Sequence, residues 1–281
     1  MVFGDADTWR ELASRVSARD DLALCLVTAV ALSGEDGGAW WVDPDGAVAA
    51  SYGVAGGTVT AVVLDANLRV LGVVDGDRLA DRLVALLDTA LDREPAVTVT
   101  GQAPVLLLPR ALDAAYRERL IGVWESGSVA TGVARQSGDV LDVDYKLRRD
   151  HTVNDPEMLR DLVTTVGRRV LPEVEKAFAF RATRFEGFKI ACYDASTGGF
   201  FRAHRDNLSA ATAHRVFALT LNLNDDYEGG ELRFPEYGNQ LYRPAAGAAL
   251  VFSSAHLHEV MDITVGRRFV LLSFLYGDTP R

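Results

Sequence analysis

The sequence is poor in features that would place it outside the cell or in a membrane. It has two cysteines, Cys25 and Cys192, both inside apolar runs, where cysteine usually acts as a small buried hydrophobe. No apolar run reaches the roughly 20 residues that span a bilayer, and the start MVFGDADTWR lacks the basic and then apolar order of a signal peptide. We therefore expect a protein of the reducing cytoplasm, with no membrane partner.

Positive charge is also scarce. The chain has 29 lysines and arginines against 39 aspartates and glutamates, which gives a net charge of −10. Phosphate backbones are bound by clustered cations, so we expect no nucleic-acid partner. Of the 281 residues, 48% are hydrophobic and 24% are charged, which is typical of a folded chain with one large or two modest domains.

The first hundred residues alternate between helical and strand patterns, which predicts a small α/β domain. Gly, Asp and Pro separate its early and late segments. The predicted elements are a helix capped by Asp7 and Thr8 that ends near Ala18, a strand over 22–29, a hairpin of strands 58–65 and 70–75 joined by residues 66–69, and a helix from Asp77 to about Leu91.

The sequence pattern DPDGAVAASYGV followed by VVLDANLRVLGVV resembles the later part of a thioredoxin-like domain, in particular of peroxiredoxins. The resemblance covers residues 8–91. The reactive cysteine of that family follows a Pro-x-x-x-Thr/Ser-x-x-Cys loop, which is absent here. Cys25 lies in a predicted strand, and not at a helix N-terminus that would lower its pKa. The resemblance therefore implies a degenerate, redox-dead domain over residues 1–97, and a thiol peroxidase is disfavoured.

The pattern changes after DREPAVTVTG (92–101), which predicts a boundary and a second domain over 98–281. Amphipathic periodicity predicts helices over 112–124 and 156–178, and short apolar segments predict strands from 185 to 276. Helices followed by a run of short strands favour an α+β fold in which helices support an antiparallel sandwich or barrel.

The candidate metal site begins with the His-x-Asp triplet in FFRAHRDN. Alternate side chains of an extended segment share a face, so His204 and Asp206 can bind the same ion. Two imidazoles and one carboxylate leave three positions open on an octahedral ion, which suits an iron(II) that binds a chelating cosubstrate and dioxygen. Taken alone, the triplet favours the other interpretation, a solvated turn.

Three longer motifs accompany the triplet: CYDASTGGFFRAHRDN, HRVFALTLNLNDDYEGGELRFPEYG and PAAGAALVFSSAHLHEVMDITVGRRFVLLSFLYG. Their order and spacing resemble the prolyl 4-hydroxylase-like branch of the 2-oxoglutarate and iron(II)-dependent dioxygenases over residues 185–277. The resemblance implies a double-stranded β-helix, which is a jelly-roll or cupin-like barrel. It also implies that His204, Asp206 and His258 bind Fe(II), with 2-oxoglutarate and O2 as cosubstrates and ascorbate as a supporting reductant.

The activity implied by this resemblance is hydroxylation of an unactivated C–H bond, with release of succinate and CO2. The substrate would be an amino acid, a peptidyl residue or another small molecule. A second hypothesis remains open, in which the chain is a non-catalytic metal-binding or scaffold protein.

The resemblance also assigns residues that contact the cosubstrate. The basic residue with which the family binds 2-oxoglutarate falls on Arg268. Its planar guanidinium can hold the far carboxylate of 2-oxoglutarate with two parallel hydrogen bonds. Strand alternation then predicts that Arg267 points outward and that a pocket-facing row includes Arg268, Val270, Leu272 and Phe274.

Tyr193 and Asn222 fall on two further positions expected to contact the cosubstrate. Asn222 replaces a tyrosine of several relatives, and its amide could still donate a hydrogen bond. Arg215, His256 and Phe274 are candidates for the substrate pocket, although Arg215 also fits a solvated strand end and His256 a surface loop.

A basic run in KLRRDHTVND has two interpretations. Lys146, Arg148, Arg149 and His151 could receive an anionic substrate, or they could form a solvated charge run. The second interpretation is the one that the sequence favours.

Overall fold

The computed structural model describes residues 1–16, 19, 22–29, 39–55, 58–65, 68–90, 98–130, 133–135, 138–140 and 144–277. The chain forms two compact units, Met1–Val97 and Thr98–Arg281. Within the described ranges, no helix is both long enough and apolar enough to cross a bilayer.

The first unit is a mixed five-stranded sheet with helices. Its elements are β1 Val2–Phe3, α1 Ala6–Val16, β2 Cys25–Thr28, β3 Ala39–Val42, α2 Ala47–Ser51, β4 Thr60–Leu64, β5 Val70–Asp75 and α3 Leu79–Ala90. The strand order is β3-β2-β1-β4-β5, in which β1, β2 and β3 are parallel to one another and β4 pairs antiparallel with both neighbours. Helices α1 and α3 contribute Leu12, Leu83 and Leu87 to the core of this unit.

Hydrogen bonds at α1 and α2 correct the predicted boundaries. The Asp5 carboxylate accepts from the Thr8 backbone N–H at 2.8 Å, so Asp5 caps α1 and the predicted Asp7-Thr8 cap is wrong. Helix α2 was missed. Its N-cap position is Gly46, which has no side chain to cap it, and the Asp43 carboxylate three residues earlier accepts from the N–H groups of Val48 and Ala49.

The other predicted elements of this unit are present with shifted ends. The predicted strand over 22–29 contracts to β2, and the predicted hairpin is confirmed as β4 and β5. The predicted helix ends at Ala18 and Leu91 lie outside the described residues, as do residues 66–67 of the predicted connection and residues 92–97 of the predicted boundary.

The second unit consists of two long helices and many short strands. They are β6 Val105–Leu108, α4 Ala114–Ser126, β7 Val129–Ala130, β8 Val133–Arg135, β9 Gly138–Val140, β10 Lys146–Leu147, β11 Arg149–Thr152, α5 Pro156–Phe178, β12 Arg184–Phe185, β13 Lys189–Asp194, β14 Phe200–His204, β15 Phe217–Asn222, β16 Glu228–Gly229, β17 Leu232–Arg233, β18 Leu241–Tyr242, β19 Ala249–Ser253, β20 His258–Val260, β21 Ile263–Val265 and β22 Arg267–Tyr276.

Two antiparallel sheets dominate this unit. The large sheet has the order β6-β19-β15-β22-β13-β11-β7, with β12 also paired to β22, and the small sheet has the order β10-β14-β20-β17-β18. One apolar cluster fills the space between the large sheet and helices α4 and α5, and a second contains residues of both sheets. The predicted antiparallel sandwich supported by helices is therefore confirmed.

Helix α5 has the predicted bounds because its start and its buried stripe are both local signals. Asp155 accepts from the Met158 N–H at 2.7 Å, and Pro156 occupies the first helical position, where no N–H is needed. Leu162, Val166 and the other buried residues recur at every fourth position. Helix α4 begins and ends two residues later than predicted, after a cap by Asp113.

Candidate functional site

A cavity of about 790 Å³ lies between the two sheets of the second unit. Strand β22 supplies one wall, because its alternate residues Arg268, Val270, Leu272 and Phe274 line the cavity. The intervening residues Phe269 and Leu271 are buried in the cluster that faces the helices. The predicted alternation along this strand is therefore confirmed.

The structure brings His204, Asp206 and His258 together at this cavity. His204 ends β14 and lies directly opposite His258, which begins β20, next to an irregularity in the pairing of these strands. The Asp206 N–H donates to the Ser254 carbonyl at 2.9 Å, which holds the residue after the strand in place. One ligand atom from each of the three residues lies within 4.8 Å of the others.

Backbone carbonyls determine which nitrogen of each imidazole faces the site. His204 Nδ1 lies 2.7 Å from the Arg202 carbonyl, and His258 Nδ1 lies 3.0 Å from the His256 carbonyl. A carbonyl only accepts, so each Nδ1 donates and Nε2 is the nitrogen of each ring that is available to a metal ion. These two Nε2 atoms lie 3.6 and 3.4 Å from the oxygens of Asp206.

The electrostatics of the three groups fit a bound divalent cation. Burial, followed by the neighbouring His258, holds the pKa of His204 well below its usual value, so this imidazole is neutral. Burial also raises the pKa of Asp206, which means that its carboxylate lacks sufficient stabilisation from the protein alone. Two imidazoles that face the site with Nε2 and a buried carboxylate form a two-histidine, one-carboxylate set that suits iron(II).

Arg268 is a buried cation beside this set, and only 2% of its surface is exposed. Its Nε and one terminal nitrogen donate to Asn222 Oδ1 at 3.3 and 3.0 Å, and its guanidinium lies 5.7 Å from the Tyr193 ring centroid. Among the residues that the structure describes, no carboxylate forms an ion pair with it. A buried guanidinium of this kind needs an anion, and the cavity is where one can reach it.

Asn222 does not act as predicted. It is fully buried, and its amide nitrogen donates to Tyr227 Oη at 2.8 Å and to the Pro244 carbonyl at 2.5 Å. Both amide hydrogens are therefore used, and the prediction that this amide donates to 2-oxoglutarate is wrong. Its carbonyl oxygen instead orients Arg268 from behind.

Tyr193 lies opposite Arg268 in the pairing of β13 with β22 and lines the cavity. Its hydroxyl accepts from an Arg148 terminal nitrogen at 3.1 Å. The same guanidinium makes a bidentate pair with Asp150 at 2.6 and 2.7 Å, and the side chain of Asp150 is fully buried. Because the phenol oxygen already accepts from Arg148, its own proton can be donated into the cavity.

The remaining pocket candidates separate into two groups. Arg215 and Phe274 line the cavity, and the Arg215 guanidinium lies 3.8 Å from the centroid of the Phe274 ring. Arg215 also forms an ion pair with Glu186 and donates to the Asp206 backbone carbonyl at 3.1 Å. His256 does not line the cavity: its ring lies 5.0 Å from that of Tyr237 and also faces Phe234. The prediction of His256 as a pocket residue is therefore wrong.

The basic run was misread from the sequence. Arg149 is exposed, but Lys146 is 8% exposed, the Arg148 side chain is 9% exposed, and both line the cavity. A solvated charge run is therefore the wrong interpretation for these two residues. The missed signal was alternation, since Lys146, Arg148 and Asp150 occupy every second position and share one face of an extended segment.

The two cysteines have inert surroundings. Cys25 begins β2, and burial raises the pKa of its thiol. Cys192 is buried on the helix-facing side of β13, and burial, followed by Asp194, raises its thiol pKa to about 12. Neither environment favours a thiolate.

Comparisons with known proteins agree with this site. Residues 188–276 match the profile of the 2OG-Fe(II) oxygenase superfamily. A PKHD-type hydroxylase of Synechococcus sp. (strain JA-2-3B'a(2-13)) is 31% identical over 104 residues, which are 34% of this chain and 46% of the relative. Another, from Synechococcus sp. (strain CC9311), is 26% identical over 175 residues, which are 58% of this chain and 74% of the relative. The chain thus spans about half the length of the first of these.

A solved structure shares the fold. A prolyl hydroxylase from Trichoplax adhaerens, in complex with a peptide fragment of a hypoxia inducible factor oxygen degradation domain, has a TM-score of 0.51 at 16% identity and covers 70% of this chain and 90% of its own. The two-histidine, one-carboxylate set is of the kind that binds iron in mononuclear non-haem iron oxygenases. Residues 188–276 are thus similar to the 2OG-Fe(II) oxygenase superfamily, and the chain has relatives among the PKHD-type hydroxylases.

Proposed function

We propose that this protein is an Fe(II)- and 2-oxoglutarate-dependent hydroxylase that acts on an amino acid, a peptidyl residue or another small molecule. One observation carries the proposal: two Nε2 lone pairs and a buried carboxylate converge at a cavity that also contains the buried Arg268. A non-catalytic scaffold would have no need to retain a buried guanidinium without an acidic partner beside a metal-binding set.

In this proposal, His204, Asp206 and His258 hold the iron, and Arg268 binds the far carboxylate of 2-oxoglutarate. Iron(II) supplies the oxidising chemistry when 2-oxoglutarate and dioxygen are bound, and succinate and CO2 are released. Tyr193 adds a hydroxyl donor near Arg268. Asn222, which accepts from Arg268, fixes the direction of the guanidinium.

The cavity wall would keep the substrate in place and restrict water. Val260 of the small sheet and Val270 and Leu272 of the large sheet give apolar surface next to the metal ligands. Apolar walls with few oriented polar groups are typical of small-molecule sites. The Trichoplax enzyme is solved with a peptide, and this supports a peptidyl residue as one candidate substrate.

The test is conversion of 2-oxoglutarate to succinate by the purified protein with iron(II), ascorbate and dioxygen. We expect slow conversion without a primary substrate, and we expect Asp206→Ala and His258→Ala to abolish it because each removes a metal ligand. Isothermal titration with Mn(II) gives a second readout, in which the same variants should lose tight binding. Full turnover in either variant would refute the ligand assignment.

For the first unit, we propose a thioredoxin-like fold without thiol chemistry. The parallel β1–α1–β2 arrangement, followed by the antiparallel β4–β5 pair and α3, supports the fold. The raised pKa of Cys25 argues against a peroxidase. We expect Cys25→Ser to leave hydrogen peroxide consumption by the full chain unchanged, and a loss of consumption would contradict this part of the proposal.

A further inference from the structure

Lysine is rare in this chain, and its placement is uneven. The sequence has three lysines and 26 arginines, so arginine serves as the cation at nearly every position. Two of the three lysines, Lys146 and Lys189, line the cavity. The third, Lys176, lies on α5 with its side chain 62% exposed and pairs with Glu173 at 3.2 Å.

Lys146 lies close to the metal ligands. Its ammonium nitrogen lies 5.3 Å from the centroid of the Phe201 ring, and that ring stacks on His204 with a centroid distance of 3.5 Å. The ammonium is therefore no more than about 9 Å from the His204 ring. Its strand, β10, belongs to the small sheet.

Lys189 reaches the same cavity from the large sheet. It pairs with Leu272, which is four residues along β22 from Arg268, and at about 3.3 Å per residue this separates them by roughly 13 Å along the strand. A carboxylate held by Arg268 is too far away to be shared with Lys189. Lys189 is exposed, so it lies towards the open side of the cavity.

The cavity is positive, although the chain carries a net charge of −10. Within the described part of the chain, its wall includes six cations, namely Lys146, Arg148, Lys189, Arg205, Arg215 and Arg268, and two acids, Glu186 and Asp206. Asp150 and Glu236, which pair with two of the arginines from outside the wall, raise the acids to four. Bound iron(II) carries a charge of +2 and 2-oxoglutarate a charge of −2. Binding both therefore leaves the excess of cations over acids at the cavity unchanged.

We infer that the primary substrate is an anion, with a carboxylate that Lys146 and Lys189 receive from the two facing sheets. The inference rests on the proposed function and narrows its substrate class. Lysine suits the task because its compact charge and flexible stem can follow a substrate group that is not held in a fixed bidentate geometry. A positive cavity in an acidic chain also concentrates anions at the site.

The test uses N-acetyl amino acids as carboxylate probes and the matching N-acetyl amino acid amides as neutral controls. The Mn(II)-loaded protein, saturated with 2-oxoglutarate, is acetylated with acetic anhydride, and the rate at each lysine is read by mass spectrometry. We expect at least one carboxylate probe to slow acetylation of Lys189 and Lys146 several-fold and to leave Lys176 unaffected. No amide should protect.

Matched variants give a second readout. Lys146→Gln and Lys189→Gln should each weaken binding of the protecting probe about tenfold, because each removes a charge-assisted hydrogen bond. Lys176→Gln is the control and should change neither probe binding nor the conversion of 2-oxoglutarate.

Three outcomes would overturn the inference: equal protection by acids and amides, no protection by any probe, or protection of Lys146 by 2-oxoglutarate alone with a raised 2-oxoglutarate requirement in Lys146→Gln. The last result would assign Lys146 to the cosubstrate. Failure of the proposed function looks different, because the unmodified protein would then produce no succinate and bind no Mn(II).

Discussion

The two faces of the large sheet are built from the same strands but have opposite chemistry. On the helix-facing side, Ile190, Leu221 and Leu271 are completely buried in one apolar cluster with α4 and α5. On the cavity side, the same strands carry Tyr193, Thr220 and Arg268. Strand alternation therefore separates the part of the unit that stabilises the fold from the part that can bind ligands.

The buried arginines on the cavity side each have specific hydrogen-bonding partners. Arg148 has Asp150 and Tyr193 as partners, and Arg268 has Asn222. Each arrangement restrains a buried guanidinium that would otherwise be costly. The helix-facing side needs only shape and apolar area, so substitutions there should affect stability alone. Substitutions on the cavity side should affect binding, and those that leave a buried charge without its partner should also affect stability.

The largest effect expected on stability comes from Asp150→Ala, which leaves Arg148 buried without its carboxylate. Removing one partner of a buried ion pair costs roughly 3–5 kcal/mol in the free energy of unfolding. Urea denaturation would measure it. As a control, the double variant Arg148→Met/Asp150→Leu should recover most of the loss, and failure to recover would mean that the cost is not an unpaired charge.

The next effect tests the helix-facing side. Leu162 of α5 is completely buried in the apolar cluster, and Leu162→Ala should lower the free energy of unfolding by about 2–5 kcal/mol because it leaves a cavity. The concentration of 2-oxoglutarate needed for half-maximal conversion should stay within about twofold of the parent value when assayed well below the unfolding temperature. A large change in that requirement would mean that the two faces are coupled.

The third prediction concerns Arg268. Arg268→Leu should raise the 2-oxoglutarate requirement about a hundredfold, because hydrogen bonds between charged groups contribute roughly 1.5–3 kcal/mol each. Titration of the Mn(II)-loaded protein with 2-oxoglutarate would measure the change directly. An unchanged affinity would place the carboxylate contact elsewhere in the cavity.

The smallest effect is expected at the neighbouring arginine. Arg267 is 46% exposed and pairs with Glu125 at 3.4 Å, and exposed ion pairs contribute at most about 1 kcal/mol. Arg267→Leu should therefore change neither the 2-oxoglutarate requirement nor the midpoint of urea denaturation by more than a small amount. A large loss of 2-oxoglutarate binding in this variant would reverse the assignment of the two arginines.

Several parts of this structure could be predicted because their causes are local. The bounds of α5 follow from Asp155, Pro156 and a stripe at every fourth position, and the faces of β22 follow from alternation alone. The pairing of His204 with Asp206 also follows from their spacing. That His258 joins them was inferred from the resemblance, because it comes from another strand 52 positions after Asp206.

Other parts depended on what the tertiary structure places next to each residue. Asn222 was expected to face the cosubstrate, but the Pro244 carbonyl and Tyr227 take both amide hydrogens. His256 was expected at the pocket, but its ring faces Tyr237. In each case the sequence identifies the polar side chain, whereas a neighbour that is distant in sequence or on another element decides where that side chain points.

By itself, the sequence determined the pairing of His204 with Asp206, the long helix and the alternation that puts Arg268 and Arg267 on opposite faces, since all of these depend on spacing along one segment. Only the tertiary structure decided that Lys146 and Arg148 border a cavity and do not face water. The reason is physical: a charged strand residue is solvated or buried according to which sheet lies opposite, and that depends on the pairing of β10 with the distant β14.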